Sequence, residues 1–269
     1  MKSVRTVSVL LDDLDRPFYR HTPYQHLHDW LKALPADLQL YAVLSGTSDA
    51  QPVALYERED GEQYLHPLYT QEAYHNWRQV MPYLVPLSRT SPFLDWVART
   101  EVQDWGWLCS SPLPSRELIP HLAGLTQALT EEGKAVFFRY WDGHFFRMIL
   151  RLLQHDGHFL LPPVAQYWIN STVFTFQPDR YRRPRPSPWW TIPAQVMRGL
   201  EQEDPGPVVS NMIKYLQEQQ TRLYYSVPLP VLEAKVNSFY SQWRLHHGCD
   251  DGERLLNGLC QYLYEDMQI

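Results

Sequence analysis

The side chains best suited to bind another molecule lie in one basic and aromatic run. Arginines surround a tyrosine at residues 180–183, and a pair of tryptophans follows. Arginine holds carboxylates and phosphates through its planar fork of donors, and aromatic rings stack on bases or fill protein interfaces. We expect this run to be either a solvated linker face or a strip that binds a partner protein. Its candidate partner-binding residues are Arg180, Tyr181, Arg182, Arg183, Trp189 and Trp190.

A second pairing of opposite charges joins Arg139 and Asp142, three residues apart after an apolar, aromatic stretch. An arginine beside a carboxylate can take part in catalysis, but such a pair more often fixes a strand-to-helix corner through charge-assisted hydrogen bonds. We therefore expect Arg139 and Asp142 to be structural, together with Trp107 in the preceding apolar strand. If the pair is buried, Arg139→Ala should cost about 2–4 kcal/mol.

The patterns typical of metal sites, nucleophilic catalysis and nucleotide binding are missing from the sequence. The 11 histidines include close pairs, such as His155 and His158, but the pairs lie in distant parts of the chain. The sequence contains no His-Glu-x-x-His, no Gly-x-Ser-x-Gly, no Gly-x-Gly-x-x-Gly and no P-loop. Cys109 ends an apolar strand, which favours a buried, inert thiol. We expect no catalytic residue, no metal and no cofactor, and we expect Cys109, Cys249 and Cys260 to form no disulfide.

Alternating strands and helices position these residues in the first part of the chain. Apolar runs and Ser-Pro or Asp-Gly boundaries mark the elements. Strands are predicted at 38–44, 81–87, 104–111 and 135–141, and helices at 27–34, 91–100, 118–129 and 143–152. The strands are apolar on both faces, as expected when both are covered. The sequence thus predicts an α/β lobe with a mixed, largely buried sheet flanked by helices.

Other segments of this lobe are less sharply marked. An Asp-Gly pair at 60–61 suggests a hairpin between strands at 53–56 and 64–69, followed by a short helix at 70–80. Residues 1–20 fit either a short strand or an arm. A second hairpin is predicted around Asn170 and Ser171.

The composition changes after residue 178, where prolines and arginines replace apolar periodicity. Beyond this run, helical stripes continue to the end of the chain, with helices predicted at 193–200, 209–216, 232–243 and 255–263. We therefore divide the chain into an α/β adaptor-like domain at 1–178, a Pro/Arg-rich linker at 179–190 and a smaller, all-helical lobe at 191–269.

The totals exclude several classes of protein. Hydrophobic residues make up 44% of the 269 residues, so a packed core is expected. A net charge of −6 gives no general reason to expect binding to nucleic acid. The N-terminal apolar run is too short for a signal peptide, and no segment approaches the length of a membrane span. We expect a cytoplasmic protein without membrane insertion.

A set of motifs occurs in a fixed order over about residues 25 to 170. Its most distinctive part is the Phe-Arg-Tyr-Trp-Asp element at 138–142. The other motifs are Leu40 to Gly46, Met81 to Leu87, Ser91-Pro92-Phe93 and Trp105 to Ser111. This ordered set resembles the adaptor/chaperone family of bacterial type VI secretion. The chain departs from that family at Gly143, where proline more often follows the aspartate.

The resemblance implies a non-catalytic adaptor that binds a toxic effector protein and helps load it onto the tip of the VgrG spike. Its partners would be the effector and VgrG, and the C-terminal lobe would vary with the cargo. The effector, the stoichiometry and the oligomeric state cannot be read from the sequence. Two other functions stay open: a hydrolase-type enzyme of unknown substrate, and a nucleic-acid-binding protein that uses the run from Arg180 to Arg185.

Overall fold

The computed structural model describes residues 18–61, 65–68, 81–246 and 252–267. Its contacts divide the chain into two units, residues 1–193 and 194–269. The predicted N-terminal arm, the predicted helix at 70–80 and Cys249 lie outside the described residues.

Unit 1 alternates short strands and helices, as its apolar runs predict. Its strands are β1 (Tyr19–Thr22), β2 (Gln39–Leu44), β3 (His66–Pro67), β4 (Tyr83–Leu87), β5 (Gly106–Ser111), β6 (Gln127–Leu129), β7 (Ala135–Phe137), β8 (Gln166–Ile169) and β9 (Thr172–Phe176). Its helices are α1 (Leu27–Ala33), α2 (Pro52–Asp60), α3 (Phe93–Arg99), α4 (Ser115–Ala123) and α5 (Gly143–Leu153), and a 3-10 helix spans Gln154–Phe159.

Seven of these strands form one sheet in the order β1-β9-β8-β5-β2-β4-β3, while β6 and β7 form a separate hairpin. The α/β class with a helical C-terminal part is confirmed. The prediction of a mixed sheet is wrong, because every pairing between the described strands is antiparallel. Antiparallel neighbours can be joined without the parallel crossovers that helix–strand alternation suggests.

Both faces of the large sheet are buried, which explains why its central strands lack polar alternation. One face carries Ala42 and Leu108, which join a core with residues of α1 and α3. The other face carries Trp107 and Tyr167, whose rings lie 5.5 Å apart. Phe146 of α5 covers them, with its ring 5.0 Å from that of Trp107. A helix on each side therefore encloses strand β5, the strand that leads to the predicted structural motif.

Two glycines allow close backbone approaches at the start of β5, one toward β2 and the other toward the start of α5. Gly106 has a φ of +138°, and a Cβ there would overlap the carbonyl oxygen of Val43. Gly143, the first residue of α5, faces the carbonyl oxygen of Gly106 so closely that a Cβ would overlap that oxygen too. Only glycine fits at both positions. This explains why Gly143 begins the helix, at the position where the family that the sequence resembles is expected to have proline more often.

Three local predictions in unit 1 are wrong. Residues 52–60 form helix α2 instead of a strand, since Pro52 occupies the first turn and Tyr56 on the same face is buried. The predicted helix at 118–129 ends at Ala123, after which the chain forms β6. The predicted strand at 135–141 ends at Phe137 and belongs to a two-stranded hairpin, not to the buried sheet.

Unit 2 is a cluster of helices: α6 (Ala194–Glu203), α7 (Gly206–Gln219), α8 (Thr221–Tyr224), α9 (Leu229–His246) and α10 (Gly252–Met267). The apolar stripes of α7, α9 and α10, at i, i+3 and i+4 spacing, face one shared core. That core contains Met212, Leu216, Leu232, Val236, Leu259 and Leu263, all buried. The four predicted helices correspond to α6, α7, α9 and α10.

Candidate partner-binding surface

The predicted partner-binding run belongs to unit 1 and lies on its surface. We call residues 179–190 the arginine segment. Arg180, Arg182 and Arg183 are exposed, and the side chain of Tyr181 is among the most exposed large hydrophobic groups, at 87%. Trp189 and Trp190 are half-buried. The segment therefore presents its arginines and its tyrosine to solvent, while both tryptophans contact the protein.

Hydrogen bonds hold the first residues of the segment. The backbone N–H of Asp179 donates to the carbonyl oxygen of Pro162 at 2.8 Å. The side chain of Asp179 then accepts from the N–H of Tyr181 at 3.0 Å, the side-chain-to-backbone bond of an Asx turn. The aspartate thus sets the direction in which the chain enters the arginines.

The last residues of the segment are fixed along strand β6. The hydroxyl of Ser187 accepts from the N–H of Gln127 at 2.8 Å. The N–H of Leu129 donates to the carbonyl oxygen of Trp190 at 2.8 Å, and its own carbonyl accepts from Ile192 at 2.8 Å. Leu129 and Thr191 form a parallel bridge. The segment predicted as a linker is therefore hydrogen-bonded to the β6–β7 hairpin, a pairing that its lack of apolar periodicity did not indicate.

The two tryptophans have different environments. The guanidinium of Arg185 lies over the ring of Trp189, 4.6 Å from its centroid, a cation–π geometry. The ring of Trp190 instead lies 5.0 Å from that of Phe138. Trp189 therefore supports an exposed arginine, whereas Trp190 attaches the segment to the residues that follow β7. Arg185 is not among the predicted partner-binding residues, although it ends the same basic run.

The arginines of the segment differ from several others of unit 1 in their partners. Arg58 pairs with Glu59 at 2.8 Å and Arg116 lies 3.6 Å from Glu117. Within the described ranges, Arg180, Arg182 and Arg183 form no ion pair with any carboxylate. Their guanidinium groups therefore keep their donors for water or for a bound partner.

The residues predicted as structural lie directly beneath. We call Trp107 and residues 138–142 the aromatic corner. The indole N–H of Trp107 donates to the carbonyl oxygen of Tyr140 at 2.6 Å. Asp142 begins α5 as its N-cap and accepts from the N–H of Phe145 at 3.1 Å. Phe138 joins the corner to Trp190, so the structure brings both sets of predicted residues together.

Arg139 and Asp142 form the expected ion pair, but only one partner is buried. The side chain of Asp142 is 7% exposed and that of Arg139 is 60% exposed. The condition for a large cost of Arg139→Ala is therefore not met, since water screens the guanidinium. The carboxylate is the structural half of the pair because it also caps the helix.

The thiols and histidines form no recognisable catalytic arrangement in the residues that the structure describes. Cys109 is fully buried, and burial raises the pKa of its thiol, which disfavours the reactive thiolate. Cys109 and Cys260 are both free. Among the described residues, no group of three or more His, Cys, Asp or Glu side chains could hold a metal ion.

One pocket of unit 1 lies apart from the arginine segment in the sequence. It has a volume of about 630 Å³ and follows the end of β2, where Ser45, Ser48 and Glu57 contribute to its wall. The hydroxyl of Ser48 donates to Asp104 at 2.9 Å. No histidine, lysine or cysteine occurs among the described residues that line it. The pocket can hold water or a small polar molecule, and the carboxylates in its wall are those of Asp49 and Glu57.

Across the described part of the chain, no helix is long and apolar enough to cross a membrane.

Comparison with known proteins finds a match of part of the chain to one family model. Residues 40–157 match the model of the family described as Domain of unknown function (DUF4123). No curated protein and no solved structure matches the chain. The match runs from β2 to the 3-10 helix after α5 and includes the aromatic corner. The arginine segment and unit 2 lie beyond the matched residues.

Proposed function

We propose that the protein is a non-catalytic adaptor of bacterial type VI secretion, which binds an effector protein and helps load it onto the VgrG spike. The observation that carries this proposal is the match of residues 40–157 to the DUF4123 family. That domain is known in effector-loading adaptors of type VI secretion. The matched residues are also those whose motifs resemble the adaptor family.

The chemistry of the described residues supports binding rather than turnover. Burial makes Cys109 a poor nucleophile. Among its described lining residues, the pocket after β2 has hydroxyls and carboxylates but no histidine, lysine or cysteine, the side chains that often supply or activate a nucleophile. An adaptor needs instead an ordered surface with aromatic and arginine side chains, which the arginine segment supplies.

The position of the arginine segment supports a role in recognising a particular partner. It is joined to the aromatic corner through Trp190 and Phe138, yet it lies beyond the stretch that matches the family. A surface that is attached to the matched residues but lies outside them can distinguish one partner from another. We therefore assign partner binding to Arg180, Tyr181, Arg182, Arg183 and Trp189, with Trp190 as their anchor.

Affinity capture tests the function. The tagged full chain is expressed with the effector and the VgrG encoded beside its gene, and the captured proteins are identified by mass spectrometry. We expect the effector to be recovered in a stable complex with the adaptor. Trp189→Ala should reduce its recovery, because the change removes an interface aromatic and the support of Arg185.

The matched control is Arg58→Gln, which alters an exposed arginine that is already paired with a carboxylate. This variant should capture as much effector as the unmodified chain. Recovery of no effector by a folded, unmodified chain would contradict the adaptor function.

A further inference from the structure

We propose that the arginine segment binds a short, acidic and extended segment of its partner polypeptide, with carboxylates held by the guanidinium forks of Arg180, Arg182 and Arg183. The inference rests on the proposed function, in which the partner is a protein, and it adds the chemistry by which that partner is recognised. Neither the family match nor the motifs that resemble the adaptor family reach these residues.

The guanidinium groups of the arginine segment are suited to bind carboxylates. Each guanidinium carries five donors in a planar fork that matches the two oxygens of a carboxylate. Arg180, Arg182 and Arg183 are exposed, and among the described residues none is paired with an acid. A bound carboxylate would therefore form new ion pairs without breaking existing ones.

The backbone of the arginine segment is restricted before any partner binds. Proline occupies 184, 186 and 188, where it fixes φ. Hydrogen bonds hold the segment at Asp179 on one side and along β6 on the other. The arginines thus stand on a backbone that is already restricted, which lowers the entropic cost of binding. A flexible linker of the same composition would have to be ordered by its partner.

Aromatic side chains lie beside the arginines of the segment. Tyr181 projects its ring into solvent beside the arginines, and Trp189 lies under Arg185. Tyrosine, tryptophan and arginine are the residues that dominate protein interfaces. An acidic segment with an occasional apolar side chain could place the carboxylates on the arginines and the apolar group on Tyr181.

The charge of the whole molecule favours a short acidic peptide over nucleic acid. Nucleic acid is a long polyanion, and the net charge of −6 repels it outside the arginine segment. A short peptide experiences mainly the local charge, because salt screens charges beyond about 8 Å at physiological ionic strength. The segment offers no long basic track of the kind that follows a nucleic-acid backbone.

Fluorescence anisotropy with the full chain tests the proposal. The probes are a labelled octapeptide of glutamate, the same peptide made of glutamine, and a labelled octamer of deoxythymidine. We expect the glutamate peptide to bind more tightly than either of the others. The triple variant Arg180→Gln, Arg182→Gln, Arg183→Gln should weaken its binding by about tenfold or more, the scale of a lost charge-assisted hydrogen bond.

The matched control changes the same amount of charge elsewhere on unit 1. The triple variant Arg58→Gln, Arg99→Gln, Arg116→Gln removes three exposed arginines whose guanidinium groups already contact the protein. It should alter binding of the glutamate peptide by less than about twofold, which is the screened effect of remote charge. Replacing Arg180, Arg182 and Arg183 by lysine should give an intermediate loss, since lysine keeps the charge but not the fork.

Three results would overturn the proposal: equal weakening by the two glutamine triples, tighter binding of the deoxythymidine octamer, or equal binding of the glutamate and glutamine peptides. Effector capture separates this inference from the adaptor function. If the segment triple captures the effector undiminished, the acidic-segment proposal fails and the adaptor function stands. If the unmodified chain captures no effector, the adaptor function itself fails.

Discussion

The aromatic corner and the arginine segment are joined through one ring contact, yet their side chains serve opposite purposes. The corner turns inward: Trp107 and Tyr140 are fully buried, and the indole of Trp107 donates to a backbone carbonyl. The segment turns outward and leaves the guanidinium groups of Arg180, Arg182 and Arg183 in solvent. The corner holds the fold of unit 1, and the segment uses that fold as a support.

The two regions also differ in how clearly their sequences predict their roles. The Phe-Arg-Tyr-Trp-Asp element at 138–142 is distinctive because a strand, a turn and a helix start must all fit around Trp107. The arginine segment has no periodicity because its side chains pack against little. The distinctive motif at 138–142 therefore indicates residues that pack in the core of unit 1. The arginines that can bind a partner lie instead in a stretch whose sequence resembles a linker.

Replacing the buried indole of the corner should have the largest effect. Trp107→Ala removes a fully buried side chain and leaves the carbonyl oxygen of Tyr140 without its donor. We expect a loss of about 3–5 kcal/mol in the free energy of unfolding, measured by urea denaturation. Trp189→Ala is the matched control, because that ring is half-buried and stacks on an arginine; it should cost about 1 kcal/mol or less. Similar losses in both variants would erase the distinction between the two regions.

The ion pair at the corner should respond unequally to removal of its two halves. Asp142→Ala removes the N-cap of α5 as well as the salt bridge, and we expect it to cost about 1–2 kcal/mol. Arg139→Ala removes a guanidinium that is largely in water, so its cost should be about 0.5–1 kcal/mol. Thermal unfolding of both variants gives the order. A greater loss for Arg139→Ala would show that the arginine supports more than its pair.

Changes in the segment should have the smallest effect on stability. The triple variant Arg180→Gln, Arg182→Gln, Arg183→Gln replaces exposed side chains that are not paired with an acid among the described residues. We expect its melting temperature to stay within about 2 °C of that of the unmodified chain, since exposed substitutions rarely change stability. Scanning calorimetry measures this shift. A substantially lower melting temperature would place these arginines among the residues that hold the fold.

Much of the fold could be predicted from apolar periodicity alone. The stripes of unit 2 indicate α6, α7, α9 and α10, because each helix buries apolar residues, and those of α7, α9 and α10 share one core. The buried runs that became β2, β4 and β5 were equally clear, since continuous apolar residues of that length fit a strand covered on both faces.

The errors occur where contacts from distant residues decide the local structure. The leucine stripe of α4 continues past Gly124, but the chain leaves the helix there and forms β6, whose partners include Trp190 and Ile192. The aromatic run from Ala135 ends its strand at Phe137, because Tyr140 is held in a turn by Trp107. Neither partner could be identified from spacing along the chain.

The candidate surface could be predicted only in part, for the same reason. The sequence showed the arginines and the tryptophans, but not which tryptophan faces which neighbour. Trp189 and Trp190 are adjacent and chemically identical, and only the pairing with β6 directs one ring toward Arg185 and the other toward Phe138.

The backbone bonds between β6 and residues 187–192 also affect solubility. Strand β6 has β7 on one side and this stretch on the other, so the N–H groups of Gln127 and Leu129 are both occupied. Exposed strand edges pair with other chains and promote aggregation. A chain shortened before residue 187 would present those groups at an open edge, so truncation at the arginine segment is expected to yield aggregates even when unit 1 folds.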